Sequence, residues 1–195
     1  MEHSMTSRLL LPILLFAAAL APAQTQWSLV ASTLTYHVSH PMHIVEGVST
    51  QSRGKGVCAE GKCDFLIAAP VKSFTSGDSN RDLHMIQTVR GAQFPIVSVR
   101  TTVTAPTPDS GTIYADLEVE FAGQTVHYQR VPFSKTANGT DVRITGTVPA
   151  TCSDFKIERP SFLAVAIKNE IPVTIDMTWR SQSALPGPPQ QPVKR

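Results

Sequence analysis

Cysteine and histidine carry most of the reactive chemistry in this chain, and their spacing decides how much of it is usable. Cys58 and Cys63 flank Glu60-Gly61. If those two residues form a tight hairpin loop, Ala59 faces Lys62, and Cys58 faces Cys63 in the next, closely spaced pair, where a disulfide is within reach. An oxidising compartment favours the bond. The alternatives are a reduced pair of small side chains, or a two-cysteine metal site with no second pair nearby to complete it. Cys152 is then left over and is expected as a buried thiol. His40-x-x-His43, together with His84, outlines a separate metal alternative. Pro41 between the first two histidines fixes a turn, so no repeating face presents both rings. The simpler expectation is that His40 and His84 hydrogen-bond backbone or carboxylate groups.

A second set of polar residues sits in the string Arg81-Asp82-Leu83-His84-Met85, downstream of Ser76-Gly77-Asp78-Ser79-Asn80. A Ser/Gly/Asp/Asn turn followed by an acid in a first helical turn predicts a short helix, roughly Arg81 to Arg90, closed by Gly91. Asp82 there is explained by favourable charge at a helix N-terminus. Arg81 has two expectations, a phosphate held bidentately at a cavity rim or a salt bridge to Asp78 or Glu46. Nothing in the chain asks for catalysis. It has no nucleophile elbow, no Gly-rich phosphate loop and no helical metalloprotease pair, so no enzyme activity and no cofactor is expected.

The elements that must position these groups are strands. Leu34, Tyr36 and Val38 alternate with polar neighbours, as do Phe65, Ile67, Ala69 and Val71. Val97, Val99, Thr101 and Val103 continue the period, followed by Ile113 to Phe121, then Val126, Tyr128 and Arg130, then Val142 to Val148, and finally Val173, Ile175 and Met177. Turn signals at Glu60-Gly61, Asp109-Ser110-Gly111, Ala122-Gly123 and Asn138-Gly139 separate them at hairpin spacing. Asn138-Gly139-Thr140 also fits a glycosylation acceptor, though Asn-Gly is first of all a turn signal. The pattern is an all-β antiparallel meander. A second helical piece is expected over Ser161 to Ile167. Closure of the meander would bring the Trp27 and Trp179 ends together.

The two ends of the chain have different characters. Arg8, the apolar run Leu9 to Leu20 and Ala21-Pro22-Ala23 read as a secretory signal over residues 1–23, cleaved before Gln24. A run of about a dozen apolar residues falls short of the roughly 20 that span a bilayer, so no stable membrane anchor is expected after cleavage. Residues 24–182 form one domain, and 183–195, with Pro186, Pro188, Pro189 and Pro192, are expected as a disordered extension. A net charge of +2 with 16% charged residues and no basic cluster excludes a nucleic-acid footprint. Nothing in the sequence sets the oligomeric state.

Taken together, the Arg81-Asp82-x-His84-Met85 core, the opening strand Ser32 to His40, Val45-Glu46-Gly47 as a Gly-bearing turn, and the late segment Ser153-Asp154-Phe155 to Ser161 resemble the YceI-like family of exported lipid-binding proteins. The resemblance runs from about Trp27 to Trp179. The three cysteines and the Pro-rich tail depart from the family pattern. The resemblance implies a lipocalin-like up-and-down barrel of about eight strands around a long isoprenoid chain, in a protein exported to the bacterial periplasm or secreted. A barrel of that size has an interior just wide enough to fill with its own side chains or to hold one small ligand. The expected ligand-facing residues are Leu34, Tyr36, Val38, Phe65 and Ile67 on the early strands, and Val97, Val99, Leu117, Val119 and Phe121 on the later ones. A polar head group would lie at the mouth beside His40, Arg81 and His84. The implied partner is a small amphiphilic lipid such as a polyprenyl lipid or quinone. The rivals are a small His/Cys metal or redox protein and a ligand-free structural barrel with a filled core.

Overall fold

In the computed structural model, which describes residues 24–40, 43–104, 111–162 and 165–183, the chain opens on a long strand, β1 (Thr25–His40). It pairs antiparallel with β2 (His43–Ser49) and β3 (Arg53–Ala59) in one unbroken register, His40 facing His43, Leu34 facing Ser49 and Thr25 facing Cys58. These two are halves of a single interrupted strand. The meander continues through β4 (Lys62–Pro70), helix α1 (Ser79–Thr88), β5 (Ile96–Thr104), β6 (Gly111–Phe121), β7 (Gln124–Asn138) and β8 (Asp141–Val148). After β8 come the short strands β9 (Ser161–Phe162) and β10 (Val165–Ala166), then β11 (Val173–Ser183). β11 pairs with β8 on one side and with β1 on the other, which closes an eight-stranded antiparallel barrel from β1, β3 to β8 and β11. The Trp27 and Trp179 ends meet as expected, Leu29 lying opposite Trp179 and Trp27 opposite Ser181.

Turn chemistry sets much of the register. Glu60 and Gly61 take φ of 51° and 79°, the paired positive values of a two-residue hairpin loop, and Cys58 faces Cys63 across it. The two cysteines form a disulfide with Cα atoms 4.0 Å apart. Ala122 and Gly123 repeat that loop between β6 and β7. Between β7 and β8 the loop is Gly139-Thr140, one residue later than the Asn-Gly signal suggests, because Asn138 pairs with Asp141. The turn expected at Asp109-Ser110-Gly111 lies mostly outside the described residues, as do the expected signal segment and the Pro-rich tail.

Two bulges shift the inward face. On β1, Val30 is an extra residue between the pairs Leu29–Trp179 and Ala31–Thr178. On β7, Leu117 faces Tyr128 while Ala115 faces Val131, so Gln129 and Arg130 together oppose Asp116. Arg130 sits at φ 52°, and its N–H donates to Asp116 Oδ1 at 2.7 Å. Val126, Tyr128 and Arg130 were expected to share one face, and the bulge corrects this. Arg130 turns outward over the Tyr114 ring, 4.9 Å from its centroid, and Val131, Phe133 and Lys135 point inward after it.

Other expectations change locally. α1 starts two residues earlier than Arg81, because Asp78 is the cap, accepting from the N–H groups of Asn80 and Arg81 at 2.9 and 3.0 Å. Its left-handed closing residue is Arg90, with φ 55°, rather than Gly91. The helix expected over Ser161 to Ile167 is instead the β9–β10 ladder, Phe162 opposite Val165 and Ser161 opposite Ala166. Pro160 and the branched residues Val165 and Ile167 favour extended backbone, and the ladder docks on β1 through Lys168 N–H to the Ser39 carbonyl, 2.8 Å. Val45-Glu46-Gly47 lies within β2 and is not a turn. No helix among the described residues is long and apolar enough to cross a membrane.

Because the Cys58–Cys63 bond closes a ring of only a few residues, its chain-entropy contribution is about 2 kcal/mol. Replacing both cysteines with alanine is expected to lower unfolding free energy by about that amount while leaving the barrel intact. Denaturant unfolding of the variant beside the oxidised wild type checks this.

Candidate ligand-binding cavity

The barrel is not filled by its own side chains. A cavity of about 570 Å³ runs along the lumen, within the range of small-molecule sites. Its wall is almost wholly apolar because one residue in two of every strand faces it. Leu34, Tyr36 and Val38 of β1 line it, as do Phe65 and Ile67 of β4 and Val97 and Val99 of β5. Leu117, Val119 and Phe121 of β6 complete the group of ten picked out by alternation. Two buried clusters support the wall, one around Leu117, Val119, Phe133 and Phe155, the other around Leu34, Ile67, Met177 and Trp179.

One end of the lumen lies under α1, and the lining residues Arg81, His84 and Pro160 there are exposed. This end is the mouth. Arg81 makes neither of the salt bridges expected of it; its Nε donates to Ser76 Oγ at 2.8 Å and its Nη2 to the Ser76 carbonyl at 3.2 Å. Asp82 does more than face the helix N-terminus. Its carboxylate accepts from Thr75 Oγ1 at 2.9 Å, from Ser76 N–H at 2.8 Å and from Ser76 Oγ at 2.6 Å, clamping the loop that leads into the helix. Thr75 in turn exchanges backbone hydrogen bonds with Val48, which ties that loop to β2. Tyr36 stands beside the clamp, its ring 5.9 Å from that of Phe74. Gly47 makes its place, since a Cβ there would fall 2.2 Å from the Tyr36 ring. Burial pushes the Tyr36 phenol up, and the Asp82 carboxylate adds to the shift.

His40 is not brought to the mouth with Arg81 and His84. It is 7% exposed, lies off the cavity, and its Nε2 sits 3.3 Å from the Val165 carbonyl, the backbone contact that the simpler expectation allows. Among the described residues no three His, Cys, Asp or Glu side chains gather as a metal site. The side chain of His43 lies outside the described residues.

The other end is built from Trp27, Cys63, Lys135, Val142 and Trp179, all buried or half-buried. Trp27 Nε1 donates to Cys58 Sγ at 3.1 Å, so the disulfide is part of this floor. Phe65 meets Trp179 edge to face at 4.9 Å, and Gly56 leaves the space that Phe65 fills. Cys152 is also buried and on the cavity wall, and burial pushes its thiol up, as an inert structural cysteine requires. Sequence alternation misses Lys135. The signal for it is a change of parity, apolar residues falling at Val126 and Tyr128 but then at Val131 and Phe133, which needs one extra residue between them.

No family model matches the chain, and no curated protein sequence matches it. Solved structures do match it, among them the following two. A polyisoprenoid-binding domain from Saccharophagus degradans, implicated in plant cell wall breakdown, is 15% identical with a TM-score of 0.63 over 80% of this chain and 98% of its own. BcnA from Burkholderia cenocepacia is 15% identical with a TM-score of 0.64 over 75% of this chain and 95% of its own. The fold is the closed eight-stranded antiparallel barrel that the resemblance to the YceI-like family implies. At this identity the likeness is one of architecture, and the barrel here carries a disulfide across the β3–β4 hairpin at the end away from α1.

The mouth clamp has a pH dependence whose sign follows from Asp82. Hydrogen bonds from Ser76 hold its carboxyl below the usual range. A carboxyl depressed in the folded state stabilises that state fully above its unfolded value, about 3.9, and the contribution disappears as pH falls through the lower folded value. Amide protection factors at Ser76 and Gly77 are therefore expected to drop in acid. Asp82→Asn is expected to lower them already at neutral pH and to flatten the acid dependence, as read by hydrogen exchange.

Proposed function

We propose that this chain is an exported lipid-binding protein that sequesters an isoprenoid-type amphiphile, a polyprenyl lipid or quinone, in the barrel lumen. The observation that carries this reading is the unfilled apolar cavity of about 570 Å³ under a mouth formed by α1. A filled eight-stranded barrel needs no ligand; an unfilled one leaves wall atoms without contacts on their inner side, and a lipid chain supplies them. Burying apolar surface at about 25 cal/mol per Å² gives ample binding free energy with no catalytic group. The solved domain of the same fold from Saccharophagus degradans binds a polyisoprenoid, which supports the ligand class. The leader-like residues 1–23 support export, and a disulfide fits an oxidising compartment. The mechanism is equilibrium burial: the apolar chain enters past α1 and lies along Leu34, Ile67, Val99 and Leu117.

Native mass spectrometry of protein from the exported fraction, beside a solvent-stripped sample, tests this directly. The expected result is a chain starting at Gln24 that carries an excess of several hundred daltons, lost on stripping and recovered as an apolar extract. A native mass equal to the protein alone, with no uptake of added polyprenyl lipid, would sink the reading. Filling the lumen is the complementary test. Leu117→Trp is expected to weaken uptake of a polyprenyl lipid by about tenfold or more, equivalent to about 1.4 kcal/mol, while the far-ultraviolet spectrum stays that of the wild type.

A further inference from the structure

Lys135 is the one formally charged side chain among the buried residues described, 3% exposed, and it lies on the wall of an almost wholly apolar cavity, at the end opposite Arg81 and His84. Its place follows from the β7 bulge, which turns Val131, Phe133 and Lys135 inward. Register puts it opposite Ile144 on β8 and beside Gly111 on β6, at the end of the lumen away from α1. Gly111 adds no side chain there. Three other polar groups on the wall are engaged within the protein: Trp27 Nε1 donates to Cys58 Sγ, Thr101 Oγ1 to the Asp116 carbonyl and the Tyr128 hydroxyl to Asp154 Oδ2. Lys135 also interacts with the protein, but an ammonium carries three N–H donors, so one nitrogen can serve the wall and a ligand oxygen together. The desolvation of that ammonium is a cost of folding and is not charged to binding again.

We infer that Lys135 is a ligand-orienting residue that receives an anionic oxygen at the deep end of the lumen. The inference rests on the lipid-binding reading and narrows its ligand class to isoprenoid-type amphiphiles with an acidic head, for which a long-chain carboxylate is the simplest probe. The polar end goes in first, and the apolar chain leads back along the wall to α1. This reverses the orientation expected from Arg81 and His84, whose mouth position would hold a head group at the opposite end, with the Arg81 guanidinium already engaged by Ser76.

Hexadecanoic acid and hexadecylamine share one chain and differ in the sign of the head, so binding of each to the stripped full-length mature protein, followed by quenching of the cavity-lining Trp27 and Trp179, reads the inference. The acid is expected to bind about tenfold tighter or more. Lys135→Met is expected to erase that preference, and Lys135→Arg to keep it; replacing a buried charge with an apolar side chain of similar volume is compatible with folding, and thermal unfolding of both variants confirms it. A preference that survives in Lys135→Met places the selectivity at Arg81 and His84 and overturns the inference. Equal binding of acid and amine to the wild type overturns it while leaving lipid binding standing. Failure of the wild type to bind either compound, or a polyprenyl lipid, overturns both readings together.

Discussion

The lumen exists because β1 pairs with β11. Eleven residue pairs run from Thr25–Ser183 to Tyr36–Val173, broken once at Val30. On its other side β1 carries β2 and β3 in a single register, so its 16 residues serve as the seam for the whole barrel. Without that seam the sheet would have two long edges of unpaired N–H and C=O groups, and its apolar face would need a second layer to cover it. With it, the face closes on itself. Leu34, Ile67 and Leu117 then face one another across an enclosed volume.

Closure makes the wall but leaves the middle empty, and the choice of side chains explains why. Lining positions such as Ala69, Ala115, Val97, Val99 and Val119 are small or medium, while the large rings gather at the two ends. Phe65 and Trp179 meet near the disulfide, and Phe121 packs edge to face on Phe155 at 5.2 Å near the other end. The buried residues fall into two clusters, with Val99, Ile144 and Ile175 packed against both. Tyr128 braces the wall from within. Its hydroxyl donates to Asp154 at 2.8 Å, linking β7 to the turn at Ser153–Phe155, and burial followed by that hydrogen bond pushes its phenol well above the ordinary range. A barrel braced this way tolerates an unfilled middle, because the rigidity comes from its ladder and its ends.

Most of this architecture is legible in the residues. Period-two alternation identifies the barrel strands, Glu60-Gly61 sets the register that brings Cys58 to Cys63, and the ten residues chosen by alternation all lie on the cavity wall. What is not legible depends on contacts distant in sequence. Ser161 to Ile167 has apolar residues compatible with either a helix or strands, and its docking against Ser39 and His40 favours extended backbone. Arg81 offers its charge to several partners, and only the folded loop selects Ser76. Asp82 sits where a helix-dipole role explains it, yet its hydrogen bonds go to Thr75 and Ser76.

The β7 bulge shows how a local backbone feature reassigns chemistry. Because the side-chain period in a strand is two, one inserted residue exchanges the two faces for everything that follows. Read without the insertion, Arg130, Pro132 and Ser134 would enter the lumen, and Lys135 would be one more exposed surface charge. Asp116 prevents this: its carboxylate accepts the Arg130 N–H and holds that residue at a positive φ that a non-glycine side chain rarely adopts. The same shift that sends the Arg130 guanidinium out over Tyr114 brings Val131 and Phe133 in to fill the wall. Lys135 follows them by parity alone. A charge thus enters an apolar lumen as the consequence of one carboxylate on the neighbouring strand, and the polarity of the cavity floor is tied to the geometry of a bulge several residues away.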